Sequence, residues 1–144
     1  MKKRLNVILI LILLVPAMAS CAARTQDLSA SDDLLREGKP IVSPTGLFTA
    51  TQRELTDQAA ASYRILISST TDESTYLSAA AFRHRDSNFV LWSDEGIDVL
   101  WAYNGDTGVY IYVLEDGQWK EIPYAKNSDW AVPELLLQLR PGYF

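Results

Sequence analysis

Apolar and polar residues are patterned differently from one stretch of this chain to the next. Residues 5–15 are an almost unbroken apolar run behind Lys2, Lys3 and Arg4, interrupted only by Asn6. Residues 22–45 contain no aromatic residue, and Ser, Thr, Asp, Pro and Gly dilute their apolar positions. A stretch of that kind reads as an extended or disordered tether. Thr51 and Glu54 have the spacing of a capping box, and Leu55, Ala59 and Tyr63 follow at helical intervals. The pattern predicts a helix over 51–62 and a strand over 64–68. Residues 74–83 read two ways. Tyr76, Ala80 and His84 share a helical spacing, yet 79–82 also reads as a strand feeding a turn at 86–88. The strand that follows the turn favours the second reading.

Beyond Phe89 the period is two. Residues 89–92 form a short apolar run, and Ile97, Val99, Trp101 and Tyr103 alternate onto one face. Residues 104–108 predict a Gly-containing hairpin loop, and Asp116-Gly117 predicts a two-residue hairpin. Between them, 109–114 is apolar on both faces, as a central strand would be. The returning strand, 118–124, then sets Trp119 opposite Leu114, a favourable aromatic–aliphatic pair. Pro133, Glu134 and Arg140 suit the start and end of a short helix that lays its leucines on the sheet. These elements predict an α+β fold, an antiparallel β-meander of about five or six strands with one or two short helices packed on it. The expected organisation is a leader over 1–20, a tether over 21–45 and one globular domain over 46–144.

The leader identifies itself by order: a positive start, an apolar core of about 11 residues, too short to span a bilayer, and then Met18-Ala19-Ser20-Cys21. This resembles the lipobox of bacterial lipoproteins, with Met18 where Leu is commoner. The resemblance implies cleavage before Cys21, acylation of that Cys and anchoring of the exported protein in a membrane. With Ala22 next, it implies the outer membrane, facing the periplasm, where the source has two membranes. Ala17-Met18-Ala19 also satisfies the rule for ordinary secretory cleavage, which would leave Cys21 a free thiol. Separately, the Trp101-to-Gly108 segment with its aromatic strand and Arg-Pro tail resembles small uncharacterised bacterial secreted proteins. That likeness implies no catalytic residue.

Without residues 1–20 the chain keeps 10 Lys plus Arg against 18 Asp plus Glu, a formal charge of −8. This acidity disfavours nucleic acid and anionic lipid. Cys21 is the chain's one cysteine, so stability comes from packing. Together with the single histidine, His84, that count excludes the usual zinc ligand sets. Neither cofactor nor metal is expected. Asn104, Asp106 and Gly108 have the residue types of a calcium loop but the register of a hairpin turn. His84 lies near Asp86, without a nucleophile elbow, and reads as a solvated turn residue. Asp94, Glu95 and Asp98 cluster beside Trp92, and a hydrolase reading would set Asp94, Asp98 or Asp106 in a cleft. As neighbours on turns they fit a solvated surface better.

The aromatic residues carry more. Fourteen of the fifteen lie at or beyond Tyr63. If Val109, Ile111 and Val113 face the core, then Tyr110, Tyr112 and Trp119 form an exposed binding face. If helices cover that side too, they form a second core. The expected function is a non-catalytic, lipid-anchored envelope protein that binds another protein, such as an immunity or inhibitor protein. The alternatives are a structural component of an envelope assembly and a hydrolase acting on envelope glycan or peptide.

Overall fold

The computed structural model describes residues 27–126 and 128–144, and its strands form two antiparallel sheets. The first sheet holds β1 (Ile41–Val42), β2 (Phe48–Leu55), β3 (Ser62–Ser69), β4 (Thr75–Leu77) and β5 (Phe82–Arg83). Strands β1 to β4 are neighbours in that order, and β5 also pairs with β3. The second sheet runs in chain order through β6 (Asn88–Trp92), β7 (Leu100–Asn104), β8 (Gly108–Glu115) and β9 (Gln118–Pro123). Among the described residues the helical elements are a 3-10 turn at Leu28–Ala30 and one six-residue helix, α1 (Glu134–Leu139).

The fold is therefore mainly β, and the α+β expectation is corrected. The helix predicted over 51–62 is a strand and a loop. Thr51 and Glu54 lie in β2, which pairs with β3 along eight residues from Phe48↔Ser69 to Leu55↔Ser62. A capping box is a local preference worth about 1 kcal/mol. An eight-residue ladder that drives Tyr63, Ile65 and Ile67 of β3 into the interior outweighs it. Residues 74–83 hold two short strands that both pair with β3, with 78–81 as a break between them, so the strand expected over 79–82 is met only at Phe82 and no helix forms. Strand β7 starts at Leu100, so Ile97 falls outside the alternating face and is 45% exposed.

The sheets pack face to face. Ala50, Tyr63, Ile65, Ile67 and Phe82 of the first meet Val90, Trp92, Leu100, Ala102 and Tyr112 of the second in one buried cluster. On the second sheet's other face, Leu91, Trp101, Tyr103, Val109, Ile111 and Val113 are covered by Leu136 of α1 and by the C-terminal aromatics. Tyr143 stands edge-on to Tyr103, with ring centroids 5.1 Å apart, and its hydroxyl would lie 3.3 Å from a Cβ at Gly108. Gly108 has φ +98°, so both space and backbone conformation call for glycine there.

The expected tether is not free over its described part. Leu34 packs in the outer cluster, and Leu35 and Ile41 pack in the inner one. The Leu35 amide donates to the Val90 carbonyl at 2.8 Å, and the Trp92 indole N–H donates to the Ile41 carbonyl at 3.2 Å. The segment runs beside β6 and drops adjacent leucines on opposite sides of the sheet. Low average hydrophobicity concealed three well-placed aliphatic side chains. Pro40 and Pro44 flank the two-residue β1 and blunt that edge.

Leu35→Ala and Ile41→Ala should each lower unfolding free energy by about 2–4 kcal/mol. Urea titration followed by Trp fluorescence measures this. A free tether would leave both variants unchanged.

Candidate functional site

The β8–β9 hairpin turns through Asp116 (φ 51°) and Gly117 (φ 74°), both left-handed, as a type I′ turn requires. That turn pairs Leu114 with Trp119, as the sequence predicts, and aims Tyr110, Tyr112 and Trp119 at the first sheet. The expected binding face is therefore mostly interior. Tyr112 is fully buried, and Tyr110 and Trp119 are half-buried against the same cluster. Tyr110 meets Phe82 edge-on at 6.3 Å, and Tyr112 meets Tyr76 at 6.2 Å. What covers them is a sheet, where the sequence offered helices as the alternative.

Trp119 alone of the three opens onto a groove. It packs edge-on against Phe48 at 5.0 Å and lies 6.1 Å from Trp92. Around it, Leu47, Phe48, Tyr76 and Leu114 line a groove of about 490 Å³ between the hairpin tip and the start of β2. Leu47 and Leu114 are 46% and 41% exposed. Asp72, Ser74 and Gln118 form its polar margin.

A second cleft, of about 450 Å³, lies between β1, the end of β6 and the start of α1. Ile41, Val42, Trp92 and Leu135 line it beside Asp32, Asp33 and Asp94. Its carboxylates hold the local structure. Asp94 accepts the Glu134 amide at 3.0 Å, serving as an N-terminal cap where Pro133 has no side chain to do so. A Lys39 ammonium pairs with Asp32 and holds its carboxyl below the usual range.

The other carboxylates named for hydrolysis are dispersed. Asp98 accepts from the Thr45 amide at 3.2 Å and its hydroxyl at 2.5 Å. Asp106 pairs with Arg83 at 2.5 Å, and Arg83 also reaches Asp86 at 2.9 Å. The same guanidinium holds the Asp86 carboxyl below its ordinary range. His84 pairs with Glu54 at 2.9 Å, 30 residues away, while Asp86 serves the neighbouring arginines. Its ring packs on Tyr63 at 5.0 Å. The Asn104 side-chain carbonyl accepts the amides of Asp106 and Thr107 at 2.9 and 2.7 Å, which closes the hairpin loop. Among the described residues no three His, Cys, Asp or Glu side chains stand together as a metal site. Cys21 lies outside the described residues.

Glu121 is the polar residue that sequence reasoning missed. It shares the inward face of β9 with Trp119, opposite Tyr112. Its carboxylate accepts the amides of Ala79 at 2.8 Å and Ala80 at 3.1 Å. One side chain thus ties the second sheet to the break between β4 and β5. A Glu at a core-facing position of an alternating strand was the available signal. Ser78 completes the junction, accepting the Ile65 amide at 3.0 Å and donating to the Ala80 carbonyl at 2.7 Å. The buried Tyr112 hydroxyl lies beside Glu121 and Ser78 without a hydrogen bond of good geometry to either.

Removing that hydroxyl should cost nothing. Tyr112→Phe is expected to hold or raise stability by up to about 1 kcal/mol, since it relieves an unsatisfied buried group. Denaturant titration measures this, and a clear loss would mean the hydroxyl is bonded. Burial also pushes the Tyr63 and Tyr112 phenols well above their ordinary value. The unfolded chain ionises them near pH 10, so their contribution is whole below that pH and is lost as pH rises above it. Ultraviolet titration of the seven tyrosines should leave at least these two protonated until alkaline unfolding.

No family model, curated protein or solved structure matches this chain.

Proposed function

We propose that this chain is a non-catalytic, lipid-anchored envelope protein that binds another protein. The observation that carries the reading is the groove at Trp119. Two exposed leucines and three half-buried aromatic rings lie inside a polar margin. Protein-binding patches share that arrangement, an apolar centre with aromatic anchors and a polar rim. An inhibitor or immunity role is the specific form proposed, because an acidic exported domain suits capture of a basic secreted partner. The hydrolase alternative finds less support. Asp94, Asp98 and Asp106 each hold a different piece of the chain.

Leu47→Asp and Leu114→Asp change exposed side chains and should leave stability within about 0.5 kcal/mol. Each should weaken retention of the natural partner roughly tenfold or more. The measurement is capture from envelope and secreted fractions on the full chain, with Ile97→Asp as the control on an exposed residue outside the groove. Equal retention by all three variants would remove the groove from the interface. The captured protein's identity separates an inhibitor from an assembly component.

A further inference from the structure

The link between Cys21 and the fold is short. The described fold begins at Asp27, six residues beyond Cys21. From there the chain is held. Asp27 caps the 3-10 turn by accepting the Ser29 amide at 3.1 Å, and Arg36 donates to the carbonyls of Ser29 and Ser31. That turn packs against helix α1. Six residues span at most about 20 Å when fully extended. A domain of this size is about 35 Å across, from a radius of gyration near 13–14 Å. A link shorter than the domain cannot let the far side turn toward the anchoring membrane.

The side where the link enters also presents apolar side chains among acidic ones. Leu28 and Leu135 line a shallow hollow beside Asp27. Leu135 lies on the flank of α1 that turns toward the 3-10 turn, while Leu136 is fully buried and Glu134 and Gln138 face outward. We propose that the surface made by the 3-10 turn and the adjoining flank of helix α1 rests on the bilayer that holds Cys21, with Leu28 and Leu135 in the headgroup region. This rests on the lipid-anchor reading above. Asp27, Asp32 and Glu134 border the leucines, so the surface suits zwitterionic rather than anionic lipid. A contact too weak to bind alone suffices here, because the anchor makes it an intramolecular one.

The test is amide hydrogen exchange of the acylated full-length mature protein on phosphatidylcholine vesicles, against the soluble Cys21→Ser protein. Amides of 28–31 and 134–140 should exchange at least about threefold more slowly on vesicles, while 116–119 stay unchanged. Leu28→Asp should remain anchored and lose most of the slowing. Replacing half the lipid with phosphatidylglycerol at low salt should reduce it. Flotation with vesicles but unchanged exchange at 28–31 and 134–140 would overturn the docking alone. Stronger slowing on anionic lipid would do the same. Absence of acyl mass on Cys21, with no flotation, would overturn the anchor and the docking together.

Discussion

The middle of the second sheet, β7 with most of β6 and β8, is buried on both faces, and much of the molecule is arranged to cover it. All five residues of β7 are buried, and β8 sends Tyr112 to one side and Val109, Ile111 and Val113 to the other. A sheet of this kind cannot face water on either side. The first sheet supplies one cover, and α1 with the C-terminal aromatics supplies the other. Large rings dominate both layers. Trp101, Tyr103 and Tyr112 each remove about 150–250 Å² from water, a gross gain of roughly 4–6 kcal/mol before entropy is subtracted. With one cysteine in the whole sequence, no intramolecular disulfide shares that task.

Acidic side chains fasten the covers in place. Glu121 holds the break between β4 and β5, Asp98 holds the turn before β2, and Asp94 holds the start of α1. In each case a carboxylate accepts backbone N–H groups that would otherwise lack a partner, and such charge-assisted bonds are among the stronger ones. This division of labour bears on function. Glu121, Asp98 and Asp94 are each committed to a separate backbone site, while the exposed apolar groove at Trp119 remains free of that duty.

The beginning of the fold bears on the proposed lipid anchor and on what the domain could reach from it. A tether reaching Thr45 would let the domain range some 25–30 Å as a coil. Packing of Leu34, Leu35 and Ile41 removes most of that length. A partner would then have to come to the membrane surface, since the domain could not swing out to meet it. The groove at Trp119 shares no lining residue with the surface where the link enters, so membrane contact and partner contact need not compete.

The strands from β6 to β9, the Asp116-Gly117 hairpin, the Leu114–Trp119 pair and helix α1 were legible in the sequence. Their signals are local: a two-residue period, a turn that demands positive φ, and a proline and a glycine around a leucine run. The first sheet was not legible to the same degree. Thr51 and Glu54 look like a helix start, and only pairing with β3 turns that stretch into a strand. Leu34, Leu35 and Ile41 look sparse until β6 and β2 lie beside them. The aromatic face of β8 and β9 was read correctly as a face, but alternation says only which residues share a side. Whether Tyr110 and Tyr112 meet water or another sheet depends on chain far away in sequence. Burial is a property of what packs opposite, and that was decided by the tertiary structure.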